Sequence, residues 1–381
     1  MIKSIRPFPL LNPLPQAGEE ANEPLRELLV NQGSEIMNQE WQNFLVQHGA
    51  QLHEGAVQHF GDLPSELLAT RDSTVLCDLG QFGTLQVAGE EAQKFLQNLL
   101  SNDINSVNAT TAQLSSFNSP KGRMLATFLI WQNGADYFLQ LPRSLTPAIH
   151  KRLAMYVMRS KVRISDASDE LICLGVSGKH AADLIKQHLG ATLDQDWMVA
   201  QHDNASIIRI SSERFQISTT VQQAAALWSR LSEAAQPAGS ACWDWLNIRA
   251  GIPVISPATQ EQFVLQMANL DILGGVSFKK GCYPGQEIVA RTHYLGKQKR
   301  RMYLAHVVSD SAPAAGDELF SAEMAGQASG KVINASPAPG GGFDLLAVLQ
   351  ISSQETQGVH LQSLQGAALN FLPLPYSLPS S

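Results

Sequence analysis

Residues 279–291, KKGCYPGQEIVAR, carry the densest set of chemically useful side chains in the sequence. Because Pro284 lacks a backbone N–H and suits a first helical position, the pattern predicts a short helix that starts there and holds Gln286 and Glu287 in its first turn. A cysteine beside a helix amino end and near lysines has a favoured thiolate. The segment therefore predicts a reactive or ligating thiol at Cys282.

Plainer interpretations of Cys282 stay open. Most lone cysteines are small buried side chains, and the neighbouring glycines would then only form a turn. A nucleophilic cysteine also needs a positioned base, and His293 is near Cys282 in sequence alone. The cysteines are widely spaced and form no CxxC pair, so we expect no metal site. The four cysteines are Cys77, Cys173, Cys242 and Cys282.

Glycines and a tryptophan near this segment favour a flat or anionic ligand. Glycine lets a backbone approach such a ligand closely, and the indole of Trp243 can stack on a heteroaromatic ring. A crowded turn between domains and a core tryptophan would explain the same residues, so packing remains an alternative. The glycines are Gly274, Gly275, Gly281 and Gly285.

A basic stretch follows at residues 297–301. As a surface patch it would face RNA or an acidic partner, whereas as a solvated entry to a strand it needs no function. The formal net charge of −7 disfavours nucleic-acid binding over the whole surface, so an RNA contact here would be weak and local. The cations are Lys297, Lys299, Arg300 and Arg301.

Length and composition define the class of protein. A chain of 381 residues is expected to form two or three domains. Its 44% hydrophobic and 16% charged residues are ordinary for a globular protein, and no apolar run is long enough to span a bilayer. The amino end lacks the apolar stretch of a secretory signal. We therefore expect a cytoplasmic protein that does not bind a membrane.

A recurring pattern predicts two related modules. Residues 87–100 and 176–189 share the order valine, glycine, alanine and two adjacent apolar residues at matching spacings. Each copy predicts a strand, a helix, a hairpin and a second helix, with a final strand after the first copy. The turn of the first hairpin is Asn133-Gly134. The expected fold class is α+β, with two ferredoxin-like (split βαβ) modules and a small C-terminal β-barrel.

These patterns divide the chain into segments. Prolines among polar residues predict a flexible lead, and Met37 after it is a candidate native start. Short apolar runs between Gly and Pro clusters predict the barrel. The expected segments are 1–36, the lead; 37–70, an N-terminal helical segment; 71–166, the first α+β module; 167–240, the second; 241–300, a linking segment with the KGCYPGQE motif; and 301–381, the C-terminal β-barrel.

An octet and several shorter stretches have a recognisable order. The octet Lys280–Glu287, followed by Arg291 and Gly296, is the most specific. Together these stretches resemble the folate-binding YgfZ family, which is allied to the iron–sulfur assembly factors of mitochondria. The wider superfamily includes the glycine-cleavage aminomethyltransferase. Further matches, within about residues 72 to 378, are Phe95–Gln97, Asn102–Asp103, Pro120–Met124, Arg159–Val162, Ala250–Pro253, Phe263–Leu270 and Leu372–Tyr376.

The resemblance implies a tetrahydrofolate-binding accessory protein that supports iron–sulfur enzymes, among them the enzyme that methylthiolates certain transfer RNAs. It implies a folate site at the centre of the modules and the barrel, with Cys282 as the functional thiol. The residues implied to bind folate or shape its loop are Phe82, Trp243, Lys280, Gly281, Tyr283, Gly285, Gln286, Glu287 and Arg291.

The chain departs from the family pattern at positions that bear on chemistry. Phe82 replaces a tryptophan, which keeps an aromatic face but removes the indole N–H. Ala126 stands where aminomethyltransferases carry a carboxylate beside the reactive folate nitrogen, and Arg249 replaces a frequent glutamate. Aminomethyl transfer would therefore lack its acid–base partner, so we expect an accessory protein rather than a conventional enzyme. The alternatives are a one-carbon transferase, with Asp103 as the substitute carboxylate, and an RNA-binding module.

Overall fold

The structure is a computed structural model that describes residues 38–294, 296, 298–356 and 358–379. The predicted lead at 1–36 and the candidate start at Met37 lie outside the described residues, as does Lys297. The α-helices of the described part are α1 Gln39–Gln47, α2 Leu63–Asp72, α3 Ala92–Gln97, α4 Thr146–Val157, α5 Ala181–Leu189, α6 Val221–Leu231, α7 Ser240–Arg249, α8 Gln286–Tyr294 and α9 Ile351–Thr356.

The strands form one hairpin and three larger sheets. In chain order they are β1 Gln51–His53, β2 Ala56–His59, β3 Val75–Asp78, β4 Phe82–Ala88, β5 Gln113–Asn118, β6 Met124–Asn133, β7 Asp136–Pro142, β8 Arg163–Asp166, β9 Leu171–Ser177, β10 Val199–His202, β11 Ala205–Ser211, β12 Arg214–Thr220, β13 Gln236–Ala238, β14 Arg300–Val307, β15 Glu318–Ser321, β16 Ala328–Pro337, β17 Phe343–Gln350, β18 Val359–Leu361 and β19 Asn370–Leu372.

The first large sheet has the order β5-β6-β7-β4-β8 and is antiparallel throughout. The predicted hairpin turn is confirmed, because Asn133 pairs with Asp136 across β6 and β7. Gly134 has φ +61°, the left-handed conformation that glycine adopts at low cost. Helices α3 and α4 add apolar side chains to the core of this sheet, including Phe95, Leu96 and Leu153.

The second sheet has the order β10-β11-β12-β9-β3-β13. Strand β3 precedes the first sheet in the chain, yet it pairs antiparallel with β9 of the second, from Val75↔Ser177 to Asp78↔Leu174. The last strand, β13, then pairs parallel with β3. The two halves of the chain are therefore interlocked by a strand, which fixes the space between them.

The third sheet has the order β18-β15-β16-β17-β14-β19. Its pairs are antiparallel, and its apolar side chains form a separate core that includes Val332, Leu345 and Ala347. The outermost strands, β18 and β19, do not pair with each other in the part of the chain that the structure describes. Strand β18 is instead bonded to the residues just before β19: Leu361 N donates to Ala367 O and Leu369 N to Val359 O, both over 2.9 Å, and His360 forms a bridge with Ala368. The sheet is therefore curled into a half-barrel, the coarse form of the expected small C-terminal barrel.

The segment before the first sheet contains more than the expected helix. Helix α1 is followed by the β1–β2 hairpin and by α2. Trp41 of α1 is fully buried, contacts the ring of Trp228 edge-on and donates from Nε1 to Asp78 Oδ1 over 2.8 Å. These contacts hold α1 against the second sheet. None of the helices in the described ranges has the length and apolar character needed to cross a bilayer.

Candidate functional site

A cleft with about 570 Å³ of empty volume, part of it open to solvent, lies between the first two sheets and helix α7. Aromatic and aliphatic side chains dominate its walls, and the polar lining consists of hydroxyl and amide groups. Among the described residues, no ionisable side chain lines it. The lining residues are Phe82, Leu114, Ser115, Thr127, Phe128, Leu129, Gln140, Leu141, Pro142, Trp197, Ile210, Gln216, Trp243, Asn247, Ile252, Pro253, Val254 and Leu270.

Trp243 reaches this cleft from helix α7 and is 2% exposed. Its ring lies against β9 at Gly175, where an added Cβ would come within 2.4 Å of the indole Cζ3. The guanidinium of Arg214 lies over the same ring, with Cζ 3.9 Å from the centroid. Because Gly175 and Arg214 hold the indole in place, Trp243 is a rigid wall of the cleft.

Two amides of the cleft lack partners. The Nε2 atoms of Gln140 and Gln216 are buried, and neither has a hydrogen-bond partner among the described residues. A buried amide donor without an acceptor costs about 1–3 kcal/mol, so such groups are normally satisfied by a ligand or water. Both amides line the cleft. The two side chains therefore place amide groups at the wall of the cleft.

Arg214 adds a buried cation behind Trp243. Its Nη2 donates to Asn247 Oδ1 over 2.8 Å, whereas Nε and Nη1 have no partner within the described ranges. Burial lowers the pKa of this guanidinium to about 9. Since Asn247 lines the cleft, Arg214 fixes the orientation of one cleft amide and places positive charge close to the pocket.

A second compartment adjoins the cleft and contains a carboxylate. It shares Phe82, Pro142, Asn247 and Val254 with the cleft and is also lined by Asp244. Burial raises the pKa of Asp244 to about 6, and a hydrogen bond from Gln81 Nε2 to Oδ1 over 3.3 Å opposes the shift. Burial therefore favours the neutral form of this carboxyl, which lies in the compartment next to the cleft.

The shift at Asp244 predicts a pH-dependent stability difference. Because the folded-state pKa lies above the ordinary value of 3.8, folding favours the neutral form, and its contribution is lost as pH rises through the window from about 4 to 6. Asp244→Asn keeps an acceptor for Gln81 and removes the charge. Denaturant unfolding should show the variant about 2 kcal/mol more stable than wild type at pH 7.5, but not at pH 4. A difference equal at both pH values would contradict the prediction.

The motif segment packs against the first sheet and its neighbouring loop. Lys280 Nζ donates to the carbonyl oxygens of Leu100 and Asn102 over 2.6 and 2.9 Å. Burial lowers the pKa of this amine to about 8. Tyr283 is buried, which raises its pKa, and Lys280 Nζ lies 5.4 Å from its ring centroid. Lys280 and Tyr283 therefore anchor the segment.

Gly285 makes the closest contact in this segment. It has φ +79°, and an added Cβ would lie 2.5 Å from both Gly122 Cα and Ser119 O. The sequence pattern predicted that this helix starts at Pro284. Helix α8 begins at Gln286 instead, because Gly285 before it has a left-handed backbone. Gln286 and Glu287 do occupy the first turn of α8, as predicted.

Substitution of Gly285 tests this contact. Gly285→Ala is expected to destabilise the protein by about 2 kcal/mol, because alanine suffers both the left-handed backbone and the clash with backbone atoms. Urea unfolding measures the change. Gly281→Ala is the matched control, since an added Cβ there meets nothing within 4 Å. Equal effects of the two substitutions would show that the contact does not hold the segment.

Cys282 is exposed, in contrast to the three other cysteines, which are buried. It does not line the cleft. The lysines expected to activate it do not surround it as one group, because Lys280 is bound to two carbonyl oxygens. The thiol is therefore exposed on the motif loop, outside the lining of the cleft.

The structure separates the predicted site residues into two places. Phe82 and Trp243 line the cleft. The others lie in the motif loop or on α8 and do not line it: Lys280, Gly281, Cys282, Tyr283, Gly285, Gln286, Glu287 and Arg291. Gly281, Glu287 and Arg291 are exposed. Of the predicted site residues, Phe82 and Trp243 are therefore the two that line the cleft.

The predicted basic patch is also divided. Arg301 is buried and donates from Nη1 and Nη2 to the carboxylate of Asp271 over 2.8 and 3.0 Å, so assigning it to an RNA surface was wrong. Lys299 is exposed and Arg300 half-buried. Asp103, the substitute carboxylate, accepts from Gln97 and Asn105 and does not line the cleft. Ala126 is fully buried in β6.

Sequence reasoning missed four residues of the cleft region. Trp197 lies in a loop with φ +68° and carries no periodic pattern. Gln140 and Gln216 lie inside strands. A polar side chain at a strand position that is otherwise apolar was the only signal for them in the sequence. Asp244 lies between two tryptophans on α7, and an acidic residue within a buried helix face could have identified it.

The chain is similar to a protein family and to curated proteins. Residues 41–280 match the GCVT N-terminal domain family. The tRNA-modifying protein YgfZ of Photorhabdus laumondii is 31% identical over 307 residues, which cover 80% of this chain and 92% of the relative. That of Klebsiella pneumoniae strain 342 is also 31% identical, over 80% and 93%.

A solved structure shows the fold. The glycine cleavage system aminomethyltransferase T from Bartonella henselae superposes with a TM-score of 0.73 and 18% identity, covering 88% of this chain and 96% of that chain. At this identity the likeness concerns the fold alone. By its domain match and its relatives, the chain belongs to the YgfZ family of tRNA-modifying proteins, within the larger group that carries the GCVT N-terminal domain.

Proposed function

We propose that this protein binds tetrahydrofolate in the central cleft and acts as an accessory protein in tRNA modification. The observation that supports it best is the cleft itself, with aromatic walls and two buried amide donors that have no hydrogen-bond partner in the described ranges. The names of its relatives, tRNA-modifying proteins, support the second half of the proposal.

The lining suits a pterin ring. Phe82 and Trp197 offer aromatic surface, and Trp243 is a rigid wall. Pterin nitrogens and the ring carbonyl are acceptors, which match the Nε2 donors of Gln140 and Gln216. When bound, tetrahydrofolate supplies a carrier for one-carbon units. The residues that would hold it are these five, with Asn247 positioned by Arg214.

Cys282 has a separate role in this proposal. Its exposed position on the motif loop suits contact with a client enzyme, whereas Lys280, Tyr283 and Gly285 hold the loop in place. We propose iron–sulfur enzymes, such as the tRNA methylthiotransferase, as the clients. Glu287 and Arg291 are exposed on the adjacent helix α8 and would extend the contact surface.

Aminomethyl transfer is the alternative that the cleft supports less well. The position of the transferase carboxylate is the buried methyl group of Ala126, and Asp103 is bound to Gln97 and Asn105. Asp244 lies in the adjoining compartment, not in the lining of the cleft. A positioned acid beside the folate is what transfer chemistry would require.

For the architecture, we propose two split βαβ modules, with strand β3, which precedes the first module in the chain, inserted into the sheet of the second. In each sheet the strand order around the hairpin is the same: β6-β7-β4 in the first corresponds to β11-β12-β9 in the second. The fourth place is taken by β8 in the first sheet and by β3 in the second. The segments 71–166, 167–240, 241–300 and 301–381 then describe the modules, the linking segment and the half-barrel, with β3 crossing between modules.

Titration with tetrahydrofolate tests the proposed ligand. Because Trp197 and Trp243 line the cleft, binding should quench tryptophan fluorescence in a saturable way. The negative control is p-aminobenzoylglutamate, the part of folate that remains without the pterin ring. No saturable change with tetrahydrofolate would remove the ligand from the proposal.

A further inference from the structure

Arg300 and Arg301 are neighbours in the basic stretch of the sequence but do not form one cluster in the structure. A different set of cations is brought together around Arg300. Successive side chains of a strand point to opposite faces, so Arg300 and Arg301 at the start of β14 diverge. Arg301 turns inward to Asp271. Arg300 instead lines a surface pocket together with Arg123, from the end of the loop before β6, and Lys331, from β16.

The register of the half-barrel sheet brings two of these cations together. Val348 of β17 pairs with Lys331 on one side and with Met302 on the other. Arg300 is two residues before Met302 and therefore shares its face. Arg300 and Lys331 thus flank Val348 on one face of the sheet, at its border with the first sheet.

Arg123 is brought to the same border by backbone pairing. Met124 N donates to Phe263 O over 2.9 Å, and Arg123 forms a bridge with Val264. Its Nη1 donates to the carbonyl oxygens of Glu261 and Gln262 over 3.2 and 2.7 Å. These bonds orient the guanidinium, so the cation is positioned before a ligand arrives.

The positive charge of the pocket is only partly compensated. Among the described residues, the guanidinium of Arg300 forms no hydrogen bond or ion pair, and no carboxylate lines the pocket. Lys331 Nζ lies 3.8 Å from Glu318 Oε1, a weak and solvent-exposed pair. The carboxylate of Glu261 is 3.9 Å from Arg152 instead. Two arginines and one lysine around a pocket of about 540 Å³ are therefore open to an anion.

We infer that Arg123, Arg300 and Lys331 form a binding site for a phosphate group. Guanidinium groups bind phosphate oxygens in a forked, two-bond geometry, and the lysine adds a point charge. The phosphate comes either from an RNA backbone or from a small phosphate. The net charge of −7 means that such binding is confined to this pocket and is not a property of the whole surface. The inference does not rest on folate binding.

Salt-dependent RNA binding tests the first source. The probe is a fluorescent single-stranded uridine oligonucleotide of about 12 nucleotides, and the slope of log affinity against log salt counts the phosphates neutralised, at about 0.7 each. The triple variant Arg123→Gln, Arg300→Gln and Lys331→Gln should lower this slope by about 2 and the affinity at least tenfold. Lys299→Gln is the matched control, because it removes one charge beside Arg300 but outside the pocket.

Inorganic phosphate tests the second source. Phosphate should raise the Tm of the wild type, relative to chloride at equal ionic strength, and should not raise that of the triple variant. Loss of RNA binding in the triple variant assigns the site to an RNA backbone, and a phosphate effect without RNA binding assigns it to a small phosphate. The inference is overturned if the triple variant equals wild type with both probes, or if Lys299→Gln alone reproduces its loss.

Discussion

Replacing Gln140 and Gln216 together by methionine is expected to weaken tetrahydrofolate binding by about 100-fold and to stabilise the free protein. Each amide Nε2 is buried without a partner among the described residues. A ligand acceptor that meets both donors gains about 1–1.5 kcal/mol from each hydrogen bond, which together give the loss in affinity. Without ligand, the same donors cost free energy, so methionine of similar volume should raise the free energy of unfolding by about 1 kcal/mol.

Calorimetric titration and urea unfolding of the same variant give the two numbers. Gln113→Met is the matched control, because the Nε2 of Gln113 is also buried, has no partner in the part of the chain that the structure describes, and does not line the cleft. That control should become more stable and bind tetrahydrofolate as the wild type does. An unchanged affinity in the double variant would show that the amides do not face the ligand.

Removal of the Cys282 thiol is expected to abolish the accessory function without changing the fold or the cleft. Cys282 is exposed and does not line the cleft, so Cys282→Ala should leave the free energy of unfolding within about 0.5 kcal/mol and tetrahydrofolate affinity unchanged. Cells that carry the variant as their sole copy should lose the activity of the dependent iron–sulfur enzymes. Methylthiolated tRNA, quantified by mass spectrometry, is the readout.

The other cysteines provide the control for reactivity. Burial raises the pKa of the Cys173 and Cys242 thiols to about 11 and that of Cys77 well above its ordinary value. In the native protein, iodoacetamide should therefore modify Cys282 and leave these three unmodified. Full methylthiolation with Cys282→Ala would show that the accessory function does not need this thiol.

Local patterns predicted the features whose causes are local. The Asn133-Gly134 turn and the strands on both sides of it follow from backbone preferences that neighbouring residues determine. The motif also identified the family, since its residue order is specific. The aromatic wall at Trp243 was predicted from the resemblance and lies in the cleft lining.

Features that depend on distant partners were missed or wrong. In the sequence, Arg301 belongs to a basic stretch. In the structure it pairs with Asp271, which lies thirty residues earlier. Helix α8 begins at Gln286 because Gly285, which contacts the distant Gly122, has a left-handed backbone. Strand β3 pairs with β9, although the five strands of the first sheet lie between them in the sequence. Hydrophobic periodicity carries no information on which strand is the neighbour, so these contacts required the structure.

The position of the bound pterin decides whether the cleft is the folate site. A crystal structure of the protein with tetrahydrofolate should show the ring between Phe82, Trp197 and Trp243, with its acceptors within about 3.2 Å of Gln140 Nε2 and Gln216 Nε2. The thiol of Cys282 should remain on the surface loop, away from the ligand. A pterin bound outside this cleft, or a cleft that stays empty of it at saturating tetrahydrofolate, would contradict the account.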